Sequence, residues 1–276
     1  MFDSHCHLHD DRSFALAPDM IARAQQVGLR GLVLAGVDRD TWGRQDALRR
    51  QFGSPDFSIG VAYGVHPQLI PSLSPSALEE QLAALHCAAR GTLEIDGNLI
   101  GKPDAIGELG LDAASDQTQQ NMTSQTHAFR QQLALARDLD LPIVLHILKT
   151  HAQVLQILKQ DGIPRAGGVV HSYSGSAEQC REYVQLGLCI SFAGGVTREH
   201  APKLWASLAL VPEDRLLVET DAPYLAPMPF RGKTNQPAYV RHVAQAVADA
   251  RGENLASVAE ATTRNFFRLF KDANPS

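Results

Sequence analysis

The chain begins with MFDSHCHLHD (residues 1–10), a short apolar start that runs directly into alternating histidines. Successive side chains of an extended segment point to opposite faces, so His5 and His7 leave the same face. Two imidazoles placed in this way can chelate one metal ion. The alternative, an open Rossmann-like sheet, usually carries a glycine fingerprint after its first strand, and His5-Cys6-His7 stands there instead.

An apolar run that ends at an ionisable side chain is repeated along the chain. It recurs at Val61–Val65 before His66, Ala105–Gly107 before Glu108, Ile143–Leu145 before His146, Gly168–Val170 before His171 and Leu216–Val218 before Glu219-Thr220-Asp221. These runs alternate with longer amphipathic segments. Such alternation predicts right-handed βαβ units and a parallel sheet.

Eight strands can be predicted from this alternation, which is the number that closes a barrel. The candidate strands are Met1–Ser4, Gly31–Val37, Phe57–Gly64, Ala105–Leu109, Pro142–Leu145, Gly167–Val170, Leu188–Ala193 and Arg215–Val218. The helical patterns include Met20–Val27, Ser76–Ala89, Asn121–Leu139, His151–Gln160, Ala177–Leu186 and Ala238–Ala250. Gly91–Asp104 and Ala222–Pro237 are predicted to be loops. The predicted fold class is α/β, a single (β/α)8 TIM-type barrel in which residues 1–276 form one domain.

Composition narrows the class of protein. The 276 residues are 44% apolar, and 25 basic against 30 acidic side chains leave a net charge of −5. This balance does not favour a protein that coats long nucleic acid through many phosphate contacts. The four cysteines show no CxxC spacing, and neither a signal peptide nor a membrane span is visible, so we expect a cytoplasmic protein that does not contact membranes.

Parallel strands of a barrel bring the residues at their C-terminal ends to one mouth, where barrel enzymes keep their active sites. The predicted metal ligands are His5, His7, Glu108, His146, His171 and Asp221. Such a mixture of imidazoles and carboxylates suits zinc, manganese or magnesium. We expect two divalent ions roughly 3.5–4 Å apart, with Glu108 as the bridging carboxylate. His146 and His171 would hold the second ion, and Asp221 would complete the first.

The motifs resemble those of the TatD-like metal-dependent hydrolases, a branch of the amidohydrolase-type barrels, over nearly the whole chain. The matching segments are Asp3–Leu8, Gly64–Pro67, Gly107–Asp112, Leu141–His146, His171–Gly175, Glu219–Leu225 and Arg231–Lys233 with Asn235 and Pro237. The resemblance implies the same six metal ligands and a divalent-metal-dependent deoxyribonuclease. The implied substrate is DNA ends or short single-stranded DNA, and no obligate protein partner is evident.

Two positions depart from the family pattern. His9 stands where the family usually carries an acidic residue, and Leu148 stands where it usually carries an arginine, with Lys149 beside it. An arginine offers two donors to a phosphate, whereas a lysine acts as a point charge. The two-donor phosphate contact that the family usually has at this position is therefore missing.

The mechanistic hypothesis is that the metal pair lowers the pKa of a bridging water, whose hydroxide attacks phosphorus. Glu108 and Asp221 are the predicted catalytic residues, with Asp221 also taking the proton. The predicted substrate contacts are His66, Arg231, Lys233 and Asn235. The histidines predicted to be structural or superficial are His9, His86, His127, His200 and His242, while His151 is left open between the two roles.

Two alternative functions remain. The first is hydrolysis of an ester or amide, such as an aminoacyl-tRNA ester, on the same metal centre, because an activated hydroxide attacks carbon as well as phosphorus. The second is a non-enzymatic scaffold that carries metal, which the complete ligand set makes the weaker alternative.

Overall fold

The computed structural model describes residues 1–270, in which strands and helices alternate. The strands are β1 (Phe2–Cys6), β2 (Gly31–Leu34), β3 (Ser58–Tyr63), β4 (Glu94–Ile95), β5 (Asn98–Leu99), β6 (Ala105–Asp112), β7 (Ile143–Leu148), β8 (Gly168–Val170), β9 (Cys189–Phe192) and β10 (Leu216–Val218). The helices are α1 (Ala17–Gln26), α2 (Arg39–Phe52), α3 (Pro75–Arg90), α4 (Asp116–Gln120), α5 (Met122–Leu139), α6 (His151–Asp161), α7 (Ala177–Gln185), α8 (Pro202–Leu208), α9 (Val240–Arg251) and α10 (Leu255–Leu269).

Eight of these strands form one parallel sheet in the order β1-β2-β3-β6-β7-β8-β9-β10. The two ends of this order meet, because Cys6 forms a parallel bridge with Ala222 just beyond β10. Asp221 N–H donates to the His5 carbonyl over 3.0 Å, and His7 N–H donates to the Ala222 carbonyl over 2.6 Å. The predicted eight-stranded TIM-type barrel is confirmed.

Each barrel strand contributes one side chain to a single apolar layer. The strands contribute Phe2, Val33, Ala62, Ala105, Val144, Val169, Cys189 and Leu217. Phe266 and Leu269 of α10 and the following Phe270 complete the layer. Phe266 of α10 stacks on Phe2 with ring centroids 4.3 Å apart. Helix α10 therefore packs against this layer beside Phe2, at the start of β1.

Two strands break the regular alternation between this apolar layer and the mouth. On β7, His146 follows the layer residue Val144 by two positions. His171, just after β8, follows the layer residue Val169 by the same spacing. On β1 and β6 the spacing is three, and the pairing register shifts between Asp3 and Cys6 and between Gly107 and Leu109. A bulge re-aims a side chain, so these two irregularities direct His5 and Glu108 towards the same cluster.

Some predicted boundaries need correction. Strands β6 and β7 continue to Asp112 and Leu148, beyond their predicted ends at Leu109 and Leu145, so His146 lies within its strand rather than just beyond it. The segment Gly91–Asp104, predicted as a loop, contains the antiparallel hairpin β4-β5. No helix within residues 1–270 has the length and apolarity needed to cross a membrane.

Candidate metal centre

Glu108 lies at the centre of the predicted ligands. Its Oε1 is 3.3 Å from Nε2 of His7, and its Oε2 is 2.8 Å from Nε2 of His171. The same Oε2 lies 3.5 Å from Nδ1 of His146 and 3.6 Å from Nε2 of His5. The two oxygens therefore face different imidazoles, which is the arrangement that a bridging carboxylate needs.

Asp221 closes the cluster on the side of the first strand. Its Oδ1 lies 3.5 Å from Nε2 of His7 and 3.9 Å from Nε2 of His5. The residue has a φ of +60°, in the left-handed region that non-glycine residues adopt uncommonly and that recurs at functional sites. The structure thus brings all six predicted ligands together.

Three of the imidazoles are held from behind by an acceptor. Nδ1 of His7 lies 3.1 Å from the Ala35 carbonyl, and Nε2 of His146 lies 2.9 Å from Oδ2 of Asp112. Nδ1 of His171 lies 3.3 Å from Oε1 of Glu219. Each of these nitrogens donates its proton to the acceptor behind it, so in the neutral ring the opposite nitrogen has the lone pair that a metal ion would bind.

The sequence analysis did not single out the carboxylates that support the ligands. Asp112 and Glu219 hold imidazoles, while Asp3 accepts hydrogen bonds from the N–H and hydroxyl of Thr220 beside Asp221. All three are buried and belong to the motifs around His5, Glu108 and Asp221. The sequence feature that could have identified them is an acidic residue in or beside an apolar run, within the motif of a predicted ligand.

Electrostatics at the centre couple these groups. Burial raises the pKa of Glu108, but the surrounding imidazoles of His5, His171 and His66 outweigh it and hold that pKa well below its usual value. Burial lowers the pKa of His171, but Glu108 and Glu219 outweigh it and raise that pKa well above its usual value. Burial, together with the nearby charge of Glu219, raises the pKa of Asp3 to about 8, against its hydrogen bonds from Thr220.

The donor set fits a divalent cation. Both carboxylate oxygens of Glu108 are buried without a hydrogen bond of acceptable geometry, despite the imidazole nitrogens around them. Leaving such a charge without bonds is costly in a protein interior. Three sets of ligand atoms lie within 4.8 Å of one another: His5, His171 and Asp221; His5, His7 and Glu108; and His66, Glu108 and His146. The cluster can therefore bind metal.

A cavity of about 670 Å³ opens above the cluster. Its floor includes His7, Glu108 and Asp221, and apolar side chains such as Leu69 and Leu225 line its wall. This combination of an apolar wall with a few convergent polar groups is typical of small-ligand sites.

The four predicted substrate contacts are not placed alike. His66 lines the cavity, with Nε2 3.6 Å from Oε2 of Glu108. Arg231 and Lys233 are exposed and are absent from the described cavity lining.

Asn235 is fully buried, and its amide donates to the carbonyls of Thr220 and Tyr224 over 2.7 and 2.5 Å. Both amide hydrogens are used, so the predicted phosphate contact from Asn235 is corrected to a structural bond that ties the loop to β10.

Two further histidines lie in the interior of the fold. His9 is buried, and neither of its ring nitrogens has a hydrogen-bond partner among the described residues. His151, which the sequence left open, is buried with Nδ1 3.1 Å from the Tyr183 hydroxyl. Burial lowers the pKa of His151 to about 4. We assign both residues to the interior of the fold.

A second cleft of about 660 Å³ lies beside the metal cavity and shares Leu148 and Ser174 with it. Lys149 and Lys203 line this cleft together with one acidic residue, Glu178. By contrast, the described lining of the metal cavity includes no lysine or arginine. Lysine side chains therefore line the adjoining cleft rather than the metal cavity.

Comparison with known proteins agrees with this architecture. Residues 2–271 match the family described as TatD related DNase. The chain is 36% identical over 271 residues to the uncharacterized metal-dependent hydrolase YabD of Bacillus subtilis, covering 98% of this chain and 99% of that protein. It is 33% identical over 284 residues to the 3'-5' ssDNA/RNA exonuclease TatD of Cronobacter sakazakii, covering both chains in full.

Among solved structures, the TatD homologue YjjV from Escherichia coli is similar to this chain, with a TM-score of 0.85 and 31% identity. The similarity covers 98% of each chain. The fold, the cluster of histidines and carboxylates and these matches lead to one assignment. This chain belongs to the TatD-related DNase family and is a metal-dependent hydrolase.

Proposed function

We propose that this protein is a nuclease that cleaves phosphodiester bonds with two divalent cations. The observation that carries the proposal is the position of Glu108, whose two oxygens face different imidazoles. A carboxylate of this kind can hold two ions at the separation of about 3.5–4 Å that two-metal phosphoryl-transfer sites use.

Each ion would have its own protein ligands. His5, His7 and Asp221 would hold the first ion, while His146 and His171 would hold the second, and Glu108 would bind both. When bound, such cations supply a water of lowered pKa and neutralise charge on the phosphoryl group. Zinc, manganese and magnesium are the candidates for this mixture of nitrogen and oxygen donors.

The chain's own residues would orient the reacting groups. Asp221 lies on the open side of the cluster and lines the cavity, so its carboxylate can accept a proton from the attacking water. Asp112 and Glu219 keep the proton of His146 and His171 on the side away from the substrate. The imidazoles of His146 and His171 would therefore bind a metal ion without changing tautomer.

Three observations favour nucleic acid as the substrate. The relative from Cronobacter sakazakii is named as an exonuclease of single-stranded DNA and RNA. The cavity of about 670 Å³ has an apolar wall that suits a nucleobase or sugar above the phosphate. Lys149 and Lys203 line the adjoining cleft, and their positive charges suit a neighbouring phosphate of the same strand. We therefore propose the end of a DNA strand or a short single strand, with exposed Arg231 and Lys233 as further phosphate contacts.

We also propose a cytoplasmic location. Cys6, Cys87, Cys180 and Cys189 are all free thiols, and disulfides are rare in the reducing cytoplasm.

The experiment compares Glu108→Ala with Glu94→Ala on end-labelled single-stranded DNA in the presence of each candidate metal. Glu94 is an exposed carboxylate in the β4-β5 hairpin and serves as the matched control. We expect Glu108→Ala to remain folded and lose turnover, while Glu94→Ala cleaves at the wild-type rate. Wild-type activity in Glu108→Ala would contradict the bridging role.

The same metal centre can also support hydrolysis of an ester such as an aminoacyl-tRNA bond. Parallel assays on single-stranded DNA and on ester substrates separate the two functions. Turnover of esters with no release of nucleotides from DNA would replace the nuclease proposal with the ester hydrolase.

A further inference from the structure

His66 has the position of a metal ligand when distance alone is considered. Its ring is buried, with Nε2 3.2 Å from Nδ1 of His146 and 3.6 Å from Oε2 of Glu108. His66, Glu108 and His146 accordingly form one of the three sets of atoms that can surround an ion. The hydrogen bond on the far side of the His66 ring indicates a different role.

The backbone N–H of Gln68 donates to Nδ1 of His66 over 3.1 Å. A backbone N–H is only a donor, so Nδ1 must present a lone pair to it. A neutral imidazole carries one proton, which therefore resides on Nε2 and points into the metal centre.

This arrangement is the reverse of the one in the other supported histidines. His7, His146 and His171 each face a carbonyl or carboxylate with the far nitrogen and turn a lone pair inward. His66 faces an N–H with its far nitrogen and turns a proton inward. A nitrogen that keeps its proton cannot coordinate a cation.

Gln68 links the two arrangements. Its backbone fixes the tautomer of His66, while its side chain donates to Oδ2 of Asp112 over 2.8 Å. The same oxygen accepts from Nε2 of His146. Gln68 thus helps to set a lone pair on Nδ1 of His146 and a proton on Nε2 of His66. These two nitrogens are hydrogen-bonded to each other.

We infer that His66 is a substrate-binding donor whose Nε2–H binds an oxygen of a tetrahedral oxyanion, the scissile phosphoryl group of the proposed nuclease reaction. The inference rests on the proposed function for the identity of the substrate. The acceptors near Nε2–H are Nδ1 of His146 at 3.2 Å and Oε2 of Glu108 at 3.6 Å, and the proposed centre uses both for metal. When those acceptors bind metal, Nε2–H of His66 becomes available to an oxygen of the phosphoryl group above the cluster. In this assignment His66 supplies specificity for an oxyanion, and the six predicted ligands bind the metal.

The first test reads the tautomer directly. In protein labelled with ¹⁵N-histidine and free of metal, we expect protonated Nε2 and unprotonated Nδ1 for His66. The matching resonances are assigned with His66→Gln. A proton on Nδ1 of His66 would overturn the inference.

The second test separates a substrate donor from a ligand. Metal content after loading and gel filtration is compared for wild type, His66→Ala, His66→Gln and His146→Ala, and the affinity of each loaded protein for inorganic phosphate is measured by calorimetry. We expect His66→Ala to keep the wild-type metal content and to bind phosphate about 10–100-fold more weakly, since a hydrogen bond to a charged group is lost. His66→Gln retains an N–H donor and should recover part of the affinity, whereas His146→Ala should lose metal.

Loss of metal from both His66→Ala and His66→Gln, as from His146→Ala, would make His66 a ligand and overturn the inference. Unchanged phosphate affinity in both His66 variants would also overturn it. Neither readout requires turnover, so failure of the nuclease proposal is recognised separately, as a wild-type protein that binds phosphate but does not cleave DNA.

Discussion

The carboxylate of Glu219 lies 3.3 Å from Nδ1 of His171, and its same oxygen accepts the N–H of Ser172 over 2.7 Å. Glu219 is fully buried and two residues from Asp221. It therefore fixes both the orientation and the tautomer of His171 from the side away from the cavity. Such outer partners of metal-binding histidines commonly change metal affinity by 10–100-fold.

We predict that Glu219→Ala weakens binding of the ion near His171 by about 10–100-fold while the barrel remains folded. Glu219→Gln keeps an acceptor for Nδ1 and should weaken it less. Competition titration against a chelator measures the affinity, and far-ultraviolet circular dichroism checks the fold. Equal affinity in wild type and Glu219→Ala would remove Glu219 from the metal centre.

Stability at acidic pH should depend on Asp112. Burial raises its pKa, but hydrogen bonds from His146, Ala114 N–H and Gln68 outweigh burial and lower the pKa of Asp112 to about 2. A depressed carboxyl pKa stabilises the fold above the unfolded value near 4, and this contribution is lost as pH falls from about 4 to 2. We expect Asp112→Asn to cost about 2 kcal/mol at pH 6.

Urea unfolding of metal-free wild type and Asp112→Asn at several pH values measures this difference. It should shrink steadily as pH falls below 4, because the wild-type carboxyl becomes protonated. A difference that stays constant down to pH 2 would mean that packing, rather than charge, accounts for the loss.

Removal of metal should lower thermal stability. The centre buries Glu108 and Asp221 among imidazoles, and a ligand that binds only the folded state stabilises it by mass action. At a free metal concentration 100 times Kd, the gain is about 2.7 kcal/mol. We expect Tm to fall with chelator and to rise with metal concentration, whereas Glu108→Ala should show a smaller rise. A Tm insensitive to metal in the wild type would contradict the proposed ligands.

Asn235 and Arg231 should behave differently despite their proximity in the same loop. Asn235→Ala removes the buried amide that bonds Thr220 and Tyr224, so we expect destabilisation of about 1–3 kcal/mol. Arg231 is exposed, so Arg231→Ala should leave stability unchanged and raise KM for single-stranded DNA. Chemical denaturation and steady-state kinetics of both variants test this contrast. It would be contradicted if Asn235→Ala kept wild-type stability and raised only KM.

The sequence could predict the barrel and the cluster because both follow from local patterns. Apolar runs of strand length recur eight times, and parallel strands present their C-terminal ends at one mouth. His146 and His171 could be placed from this rule alone. The same reasoning could not predict that β6 and β7 continue past Leu109 and Leu145, since those extensions are stabilised by pairing between the two strands.

The amino-acid sequence by itself determined that His5, His7, Glu108, His146, His171 and Asp221 meet, since alternation along each run and the common direction of the strands are local properties. Tertiary structure decided how these ligands are oriented and what the residues around them do. The register shifts in β1 and β6 direct His5 and Glu108 inward, Gln68 gives His66 a proton where its neighbours have a lone pair, and burial turns Asn235 into a structural residue. The registers of β1 and β6 and the bond from Gln68 to Asp112 depend on segments distant in the chain, which become neighbours only when the barrel closes.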